Sequence, residues 1–344
     1  MGNIQLKGIE KSFGTKKVLE NINLDVKNGE MLALLGPSGC GKTTLLKVIA
    51  GLLKPDKGDI VFDCKSVVDI PTGAREVVMV FQDYVLFPHL NVAENIGFGL
   101  RMAGIPKKER SKKVSQLLEL VQMKGFENRY PRQLSGGQKQ RVAFARALAV
   151  EPKVLLLDEP FSNLDYRLRE EMREFTCHLQ RKMGVTTILV THDREEAMMT
   201  ADRIALMLDG QIKQCDTPVN LYFKPNSPEV ASFFGEANYI QGRVIEGIFQ
   251  CSLGRFQAPL GLEGKVSAMI RPEQIEISDN GEWPIKGRII ERRFAGEKRY
   301  YRVKVGDYIL KVTSPSWKTL KHDSVGVVID FNEISYFKDV KGGS

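Results

Sequence analysis

Eight consecutive residues, Gly36-Pro37-Ser38-Gly39-Cys40-Gly41-Lys42-Thr43, fit the spacing G-x-x-x-x-G-K-[ST] without a mismatch. The chemistry this pattern supports is the holding of a polyphosphate. Glycines let the backbone curl so that its N–H groups point inward, and the helix such a loop opens adds the positive end of its dipole. Lys42 supplies a point charge for the outer phosphates, and the Thr43 hydroxyl is a ligand for Mg²⁺. Thr44, the next residue, joins the expected nucleotide contacts.

A second cluster ends the run Val154-Leu155-Leu156-Leu157-Asp158-Glu159. Four apolar residues make a buried strand, and two carboxylates emerge at its C-terminal end, where open α/β sheets bind ligands. Asp158 is expected to hold Mg²⁺ through its water shell, and Glu159 to orient and polarise an attacking water. A glycine turn or a solvated strand end explains either motif alone. The two together point to nucleotide hydrolysis.

These side chains need a scaffold. Strand-like runs at Met31–Leu35, Val77–Phe81, Val154–Leu157, Thr187–Val190 and Ile204–Leu208 alternate with longer helical stretches over residues 1–235, the pattern of a parallel sheet covered by helices. The phosphate loop follows the first of these runs and opens a helix near Lys42. A helix-rich insertion spans roughly Val92 to Val150, and its charge run Lys107–Lys113 reads as a solvated helix face. After Phe234-Gly235 the pattern changes to short alternating segments: Tyr239–Val244, Lys265–Ile270, Gln274–Ile277, Lys286–Ile290, Tyr300–Val305, Tyr308–Val312 and Val325–Asp330. Glycines punctuate them, which predicts a small all-β, barrel-like domain over 236–344. Lys224-Pro225-Asn226-Ser227-Pro228 is expected to shape a turn just before the change.

Composition narrows the class. No apolar run approaches the roughly 18 residues needed to span a bilayer, and Met1–Glu10 has no long apolar core of the signal-peptide kind, so a cytoplasmic location is expected. Five cysteines (Cys40, Cys64, Cys177, Cys215, Cys251) lie far apart without a C-x-x-C pair, which predicts small buried residues in a reducing compartment. The net charge of +8 divides into 33 − 28 = +5 over residues 1–235 and 17 − 14 = +3 over 236–344. Spread in this way it reads as a solvated surface, and no nucleic-acid partner is expected. Gly342-Gly343-Ser344 reads as a flexible end.

Between the two nucleotide motifs stands Leu134-Ser135-Gly136-Gly137-Gln138-Lys139-Gln140-Arg141. Physically it is a second anion site, a Ser-Gly-Gly turn opening the helix Gln138–Ala149 with free N–H groups at its start. One phosphate loop needs only one such cradle. Here the chain resembles the ATP-binding-cassette family over nearly its whole length, and this segment matches the family's signature sequence. The resemblance implies that two nucleotide domains stack head to tail, with Ser135, Gly136, Gly137 and Gln138 of each capping ATP held by the other. It also implies roles position by position. Phe13 stacks on adenine, keeping a π face where Tyr or Trp is often found. Gln82 senses Mg²⁺ and leads toward a membrane partner. Ser162-Asn163-Leu164-Asp165 crosses the dimer interface, with Asp165 among the nucleotide contacts. His192 is a switch contacting the γ-phosphate. His89, His178 and His322 receive no role.

Met269-Ile270-Arg271-Pro272-Glu273-Gln274-Ile275 resembles the R-P-E strand of the small barrels appended to solute-importer ATPases, those serving maltose, polyamines, ferric iron, sulfate and phosphonates. Phe233–Asn238 is similar to the linker found there. Such a barrel either buttresses the dimer or binds a regulator. The resemblance thus implies an importer ATPase using ATP and Mg²⁺ at the cytoplasmic face of the membrane. Its partners would be a second copy of itself, transmembrane permease subunits and, indirectly, an extracytoplasmic solute-binding protein. A soluble cassette ATPase acting on nucleic acid or ribosomes is the alternative; the coiled coil, zinc motif or second cassette usual there is not visible. An exporter ATPase fits less well because the importer-type barrel is present.

Overall fold

The strands that read as continuous apolar runs do so because both of their faces are buried. The computed structural model describes residues 2–162, 164–279, 283, 285–331 and 334–338. It divides into two units, Met1–Pro218 and Val219–Ser344.

In the first unit the strands are β1 (Ile4–Phe13), β2 (Lys16–Val26), β3 (Met31–Leu35), β4 (Lys57–Phe62), β5 (Lys65–Ser66), β6 (Val77–Val80), β7 (Val154–Asp158), β8 (Thr186–Thr191), β9 (Arg203–Leu208) and β10 (Gln211–Asp216). The helices are α1 (Lys42–Ala50), α2 (Val92–Ile96), α3 (Phe98–Met102), α4 (Lys107–Leu120), α5 (Gly136–Ala149), α6 (Tyr166–Met183) and α7 (Arg194–Thr200). One sheet has the order β10-β9-β3-β8-β7-β6. Its β9, β3, β8, β7 and β6 are mutually parallel, and β10 is antiparallel at the edge. Alternate residues of β7 serve opposite cores. Val154 and Leu156 join the core with α1 and the antiparallel strands, whereas Leu155 and Leu157 join the core with α5. This two-sided burial gives a parallel strand its unbroken apolar run.

The expected insertion is present as α2 to α5, and the Lys107–Lys113 run lies on the largely exposed first half of α4. A second, antiparallel sheet of order β2-β1-β4-β5 was not expected. Its first strand hides its alternation, because register shifts between Leu6 and Ile9, Ile9 and Lys11, and Lys11 and Ser12 break the period of two. The cysteines are less buried than expected. Only Cys40 is buried; Cys177, Cys215 and Cys251 are half-buried, and Cys64 is exposed in the turn between β4 and β5, at φ 68°.

The second unit begins at Val219 rather than at 236. It opens with most of α8 (Pro218–Phe223) and with α9 (Pro228–Phe234), then β11 (Asn238–Ile245), β12 (Ile248–Cys251), β13 (Gly254–Gln257), β14 (Gly264–Ile270), β15 (Ile275–Ser278), β16 (Ile285–Ala295), β17 (Lys298–Val305), β18 (Tyr308–Pro315), β19 (Ser324–Ile329) and β20 (Ser335–Lys338). The strands form two five-stranded antiparallel sheets, β13-β12-β11-β14-β20 and β15-β19-β16-β17-β18, around one apolar core. The two helices belong here because of Arg271, which is fully buried. Its guanidinium donates to the carbonyls of Tyr222, Ala231, Gly235 and Glu236 at 2.8–3.1 Å and lies 4.2 Å from the Tyr222 ring centroid. Glu273 accepts from the Tyr222 hydroxyl at 2.6 Å. The Arg-Pro-Glu triplet therefore fastens the helices to the sheets. The closing residues 342–344 lie outside the described residues.

Candidate functional site

The parallel register sets the site. Leu35 pairs with Thr191, and Asp158 with Val190. The loops after β3, β8, β7 and β6 therefore emerge side by side at the C-terminal edge of the sheet, bringing the phosphate loop, His192, the Asp158–Glu159 pair and Gln82 to one place.

Two glycines of the loop are required by space. A Cβ on Gly36 would stand 2.1 Å from the Met207 carbonyl oxygen, and one on Gly41 would stand 2.8 Å from the Val18 oxygen. Gly41 also has φ +106°, a conformation L side chains rarely adopt. It is the N-cap of α1, which has no side-chain cap and no acidic residue in its first turn. The first N–H groups of α1 are thus left for an anion. Lys42 is buried and folded back over the loop, its Nζ donating to the carbonyls of Gly36 at 2.7 Å and Pro37 at 2.8 Å. The Cys40 sulfur lies 3.9 Å from the same nitrogen, a weak acceptor that a phosphate oxygen would replace. Pro37, Ser38 and Gly39 form the exposed crown of the loop, and Thr44 is half-buried on α1.

Asp158 accepts from the Thr43 hydroxyl at 3.0 Å. Burial pushes its carboxyl above the ordinary range; the Thr43 hydrogen bond opposes this, and the neighbouring Glu159 adds to it. A desolvated carboxylate beside a hydroxyl suits Mg²⁺, which takes few protein oxygens and keeps waters and phosphates as its other ligands. Glu159 has φ 46°, the left-handed region, costing about 1 kcal/mol or more. Its backbone is pinned by its N–H donating to Val190 O at 3.0 Å. Glu159 Oε2 lies 3.1 Å from His192 Nδ1. The Glu159 carbonyl accepts from Ser162 Oγ at 3.0 Å, and Ser162 Oγ accepts from Gln82 Nε2 at 3.0 Å. Gln82, Ser162, Glu159 and His192 thus form one connected chain.

Other expected site residues stand elsewhere. Phe13 ends β1 on the antiparallel sheet, half-exposed, with the Lys11 ammonium 5.8 Å from its ring centroid. Ser135–Gln138 open α5 in the insertion, and among the described residues no hydrogen bond or ion pair joins them to Lys42, Asp158 or Glu159. The start of α5 is less open than the sequence suggests. Ser135 Oγ accepts from the Gln138 N–H at 3.3 Å, and Gln138 Oε1 accepts from the Ser135 N–H at 3.0 Å. This capping box leaves the Gly136 and Gly137 N–H groups as the free donors. Asp165 caps α6, accepting from the Leu168 N–H at 3.0 Å. Asn163 lies outside the described residues.

Several polar residues around the site were not singled out by sequence. Gln140, fully buried on α5, donates to the Tyr84 hydroxyl at 2.8 Å and to the Pro160 carbonyl at 3.2 Å. It ties the signature helix to the segments after Gln82 and Glu159. Arg146, also on α5, donates to the Val85 carbonyl at 2.8 Å. Glu196 and Arg169 line a small cavity with Glu159 and His192. The available signal was position: Glu196 shares its helix face with Ala197 and Thr200, a charge where the periodicity calls for burial.

Comparison with known proteins bears on the same residues. The sequence profile described as "ABC transporter" matches residues 19–162. The chain is 44% identical over 281 residues to the Fe(3+) ions import ATP-binding protein FbpC of Escherichia coli K12, covering 81% of each. It is 45% identical over 311 residues to the spermidine/putrescine import ATP-binding protein PotA of Nitratidesulfovibrio vulgaris, covering 85% of this chain and 84% of that one. It is 47% identical over 285 residues to the sulfate/thiosulfate import ATP-binding protein CysA of Bacillus cereus, covering 80% and 79%. Among solved structures, cbiO1 of Clostridium perfringens, part of an ABC transporter complex, superposes with TM-score 0.60 at 32% identity, over 63% of this chain and 89% of that one. A dimeric ATP-binding cassette in a post-hydrolysis state with ADP and Pi gives TM-score 0.55 at 34% identity, over 62% and 98%.

Proposed function

The chain belongs to the ATP-binding-cassette transporter family, as an ATP-hydrolysing import subunit, and from that premise we propose how its residues divide the work. The phosphate loop and Lys42 bind the phosphates of ATP. Thr43 and Asp158 would hold Mg²⁺, with Gln82 reaching the same place; bound there, the ion would screen phosphate charge. Glu159 accepts the proton of the attacking water. His192 holds the Glu159 carboxylate and reaches the γ-phosphate. The single observation that carries this reading is the juxtaposition of two contacts at adjoining strand ends: Thr43 to Asp158 at 3.0 Å and Glu159 to His192 at 3.1 Å.

We assign the closing of the site to Ser135–Gln138 of a second copy, arranged head to tail. The resulting closure is passed to transmembrane permease subunits. The segment Gln82–Leu90 and the insertion are the surface for them, with Phe81, Val85 and Met102 half or more exposed and Val85 held to α5 by Arg146. Among the described residues no helix is long and apolar enough to cross a membrane. The subunit works at the cytoplasmic face, and an extracytoplasmic solute-binding protein supplies the cargo. Near-equal identity to subunits named for ferric iron, polyamines and sulfate supports a cargo choice made by those partners.

The test is the rate of ATP hydrolysis by Glu159→Gln, which keeps shape and hydrogen bonding but cannot take a proton. General-base loss lowers kcat by about 10²–10⁴-fold. Hydrolysis at the parent rate would remove Glu159 from the role of base.

A further inference from the structure

The segments that carry Gln82 and Glu159 both leave the common backbone conformations. Tyr84, at the end of the Gln82 turn, has φ 45°, and Glu159 has φ 46°. Side chains of this size rarely sit in the left-handed region. Glu159 also precedes Pro160, and a following proline favours extended backbone. Such conformations persist where the surroundings fix them from more than one side. The Tyr84 N–H closes the turn by donating to Phe81 O at 3.1 Å, and the Glu159 N–H donates to Val190 O at 3.0 Å.

A single side chain bonds to both segments. Gln140 on α5 is fully buried, and its Nε2 donates to the Tyr84 hydroxyl at 2.8 Å and to the Pro160 carbonyl at 3.2 Å. The carbonyl can only accept, so it fixes which end of the amide faces it. Oε1 of Gln140 is buried with no hydrogen-bond partner among the described residues. An unpaired buried acceptor lowers stability, so a position needed only for packing would be better filled by an apolar residue. Between the Pro160 carbonyl and the Glu159 Cα the peptide bond is planar and the proline ring locks φ. Only the ψ torsion of Pro160 is left to rotate. Holding that carbonyl therefore restrains the point from which the Glu159 side chain starts, and holding the Tyr84 hydroxyl restrains the end of the Gln82 turn. The Gln82–Ser162 hydrogen bond of 3.0 Å joins the same two segments on the exposed side.

We propose that Gln140 is a positioning residue for hydrolysis: by bonding to Tyr84 and Pro160 together, it sets the spacing between the Gln82 turn and the Glu159 carboxylate. It acts through those two partners and takes no proton itself. The inference rests on the reading of Glu159 as the base.

Kinetics of the full chain test this, with rates taken per nucleotide-binding chain so that loss of folded protein does not count as loss of kcat. Gln140→Met nearly keeps the volume and removes both donated bonds. It should lower kcat by about 10- to 100-fold, the cost of a small misplacement at a reacting centre, with little change in the KM for ATP. An unchanged kcat, or an effect confined to KM, would overturn the proposal. Tyr84→Phe removes one hydroxyl and keeps the proposal testable should the methionine variant fail to fold. Its kcat should fall by about 2- to 10-fold, the range of one neutral hydrogen bond; a kcat equal to the parent's would count against the tie. Combining the two separates a tie from two unrelated packing defects. With Gln140→Met the bond to Tyr84 is already gone, so adding Tyr84→Phe should lower kcat no further. A further fall as large as Tyr84→Phe causes in the parent would refute the tie. The rate of Glu159→Gln tests the base alone and the Gln140–Tyr84 cycle tests the tie alone, so failure of one is told from failure of the other.

Discussion

Two helices of the first unit begin in glycine-rich turns, and they treat their unpaired backbone donors in opposite ways. Helix α1 starts at Gly41 with no cap at all, and the cation beside it, Lys42, is tethered to the loop's own carbonyls. Helix α5 starts at Ser135 with a complete capping box, so two of its donors are already used. The first end is built to hold an anion from its own chain's side. The second is stable by itself and offers only Gly136 and Gly137. A Cβ on Gly137 would meet the Leu168 side chain at 2.8 Å, which keeps that turn close to α6. The contrast fits a division of labour in which one end binds ATP and the other closes over ATP bound elsewhere.

Three substitutions sharpen the contrast. Lys42→Ala removes the charge of the open end, and kcat/KM for ATP should fall by about 10²–10³-fold, as for a preorganised group facing developing charge. A loss below tenfold would mean that the helix end alone suffices. Gly36→Ala forces a Cβ into the Met207 backbone. It should destabilise the first unit by about 1–3 kcal/mol, read as a lower midpoint in denaturant, because strand β9 cannot yield as a side chain would. Ser135→Ala removes the cap of the closed end and should cost about 1 kcal/mol of stability, read the same way, while ATP binding by the single chain persists. If Ser135→Ala instead weakened single-chain ATP binding as Lys42→Ala does, the two ends would not differ in role.

Much of this was legible in the sequence, for a physical reason. A parallel strand buried on both faces must be largely apolar, so β3, β7, β8 and β9 announce themselves, as does the half-buried edge strand β6, and chemistry at their ends follows from the chain leaving the sheet there. The antiparallel strand β1 was not legible, because its bulges break the alternation that marks such strands. Arg271 was visible only as part of a resemblance; nothing local says that an arginine will be fully buried, since its partners are carbonyls in and just after two helices, 35–49 residues earlier. The same holds for Gln140, whose partners Tyr84 and Pro160 come from segments distant in sequence. The capping box of α5 was within reach, since Ser135 and Gln138 stand three apart, but its consequence for free donors needed geometry.

The central claim is that each ATP site is completed by the signature of a second copy. It is tested most directly by measuring, with light scattering and bound-nucleotide counting, the assembly state of Glu159→Gln in the presence of ATP, alone and combined with Ser135→Arg. The expected result is an ATP-dependent pair holding one nucleotide per chain for Glu159→Gln, and single chains that still bind ATP once Ser135→Arg is added. A pair that forms equally well with Ser135→Arg, or a Glu159→Gln chain that stays single when saturated with ATP, would contradict the claim.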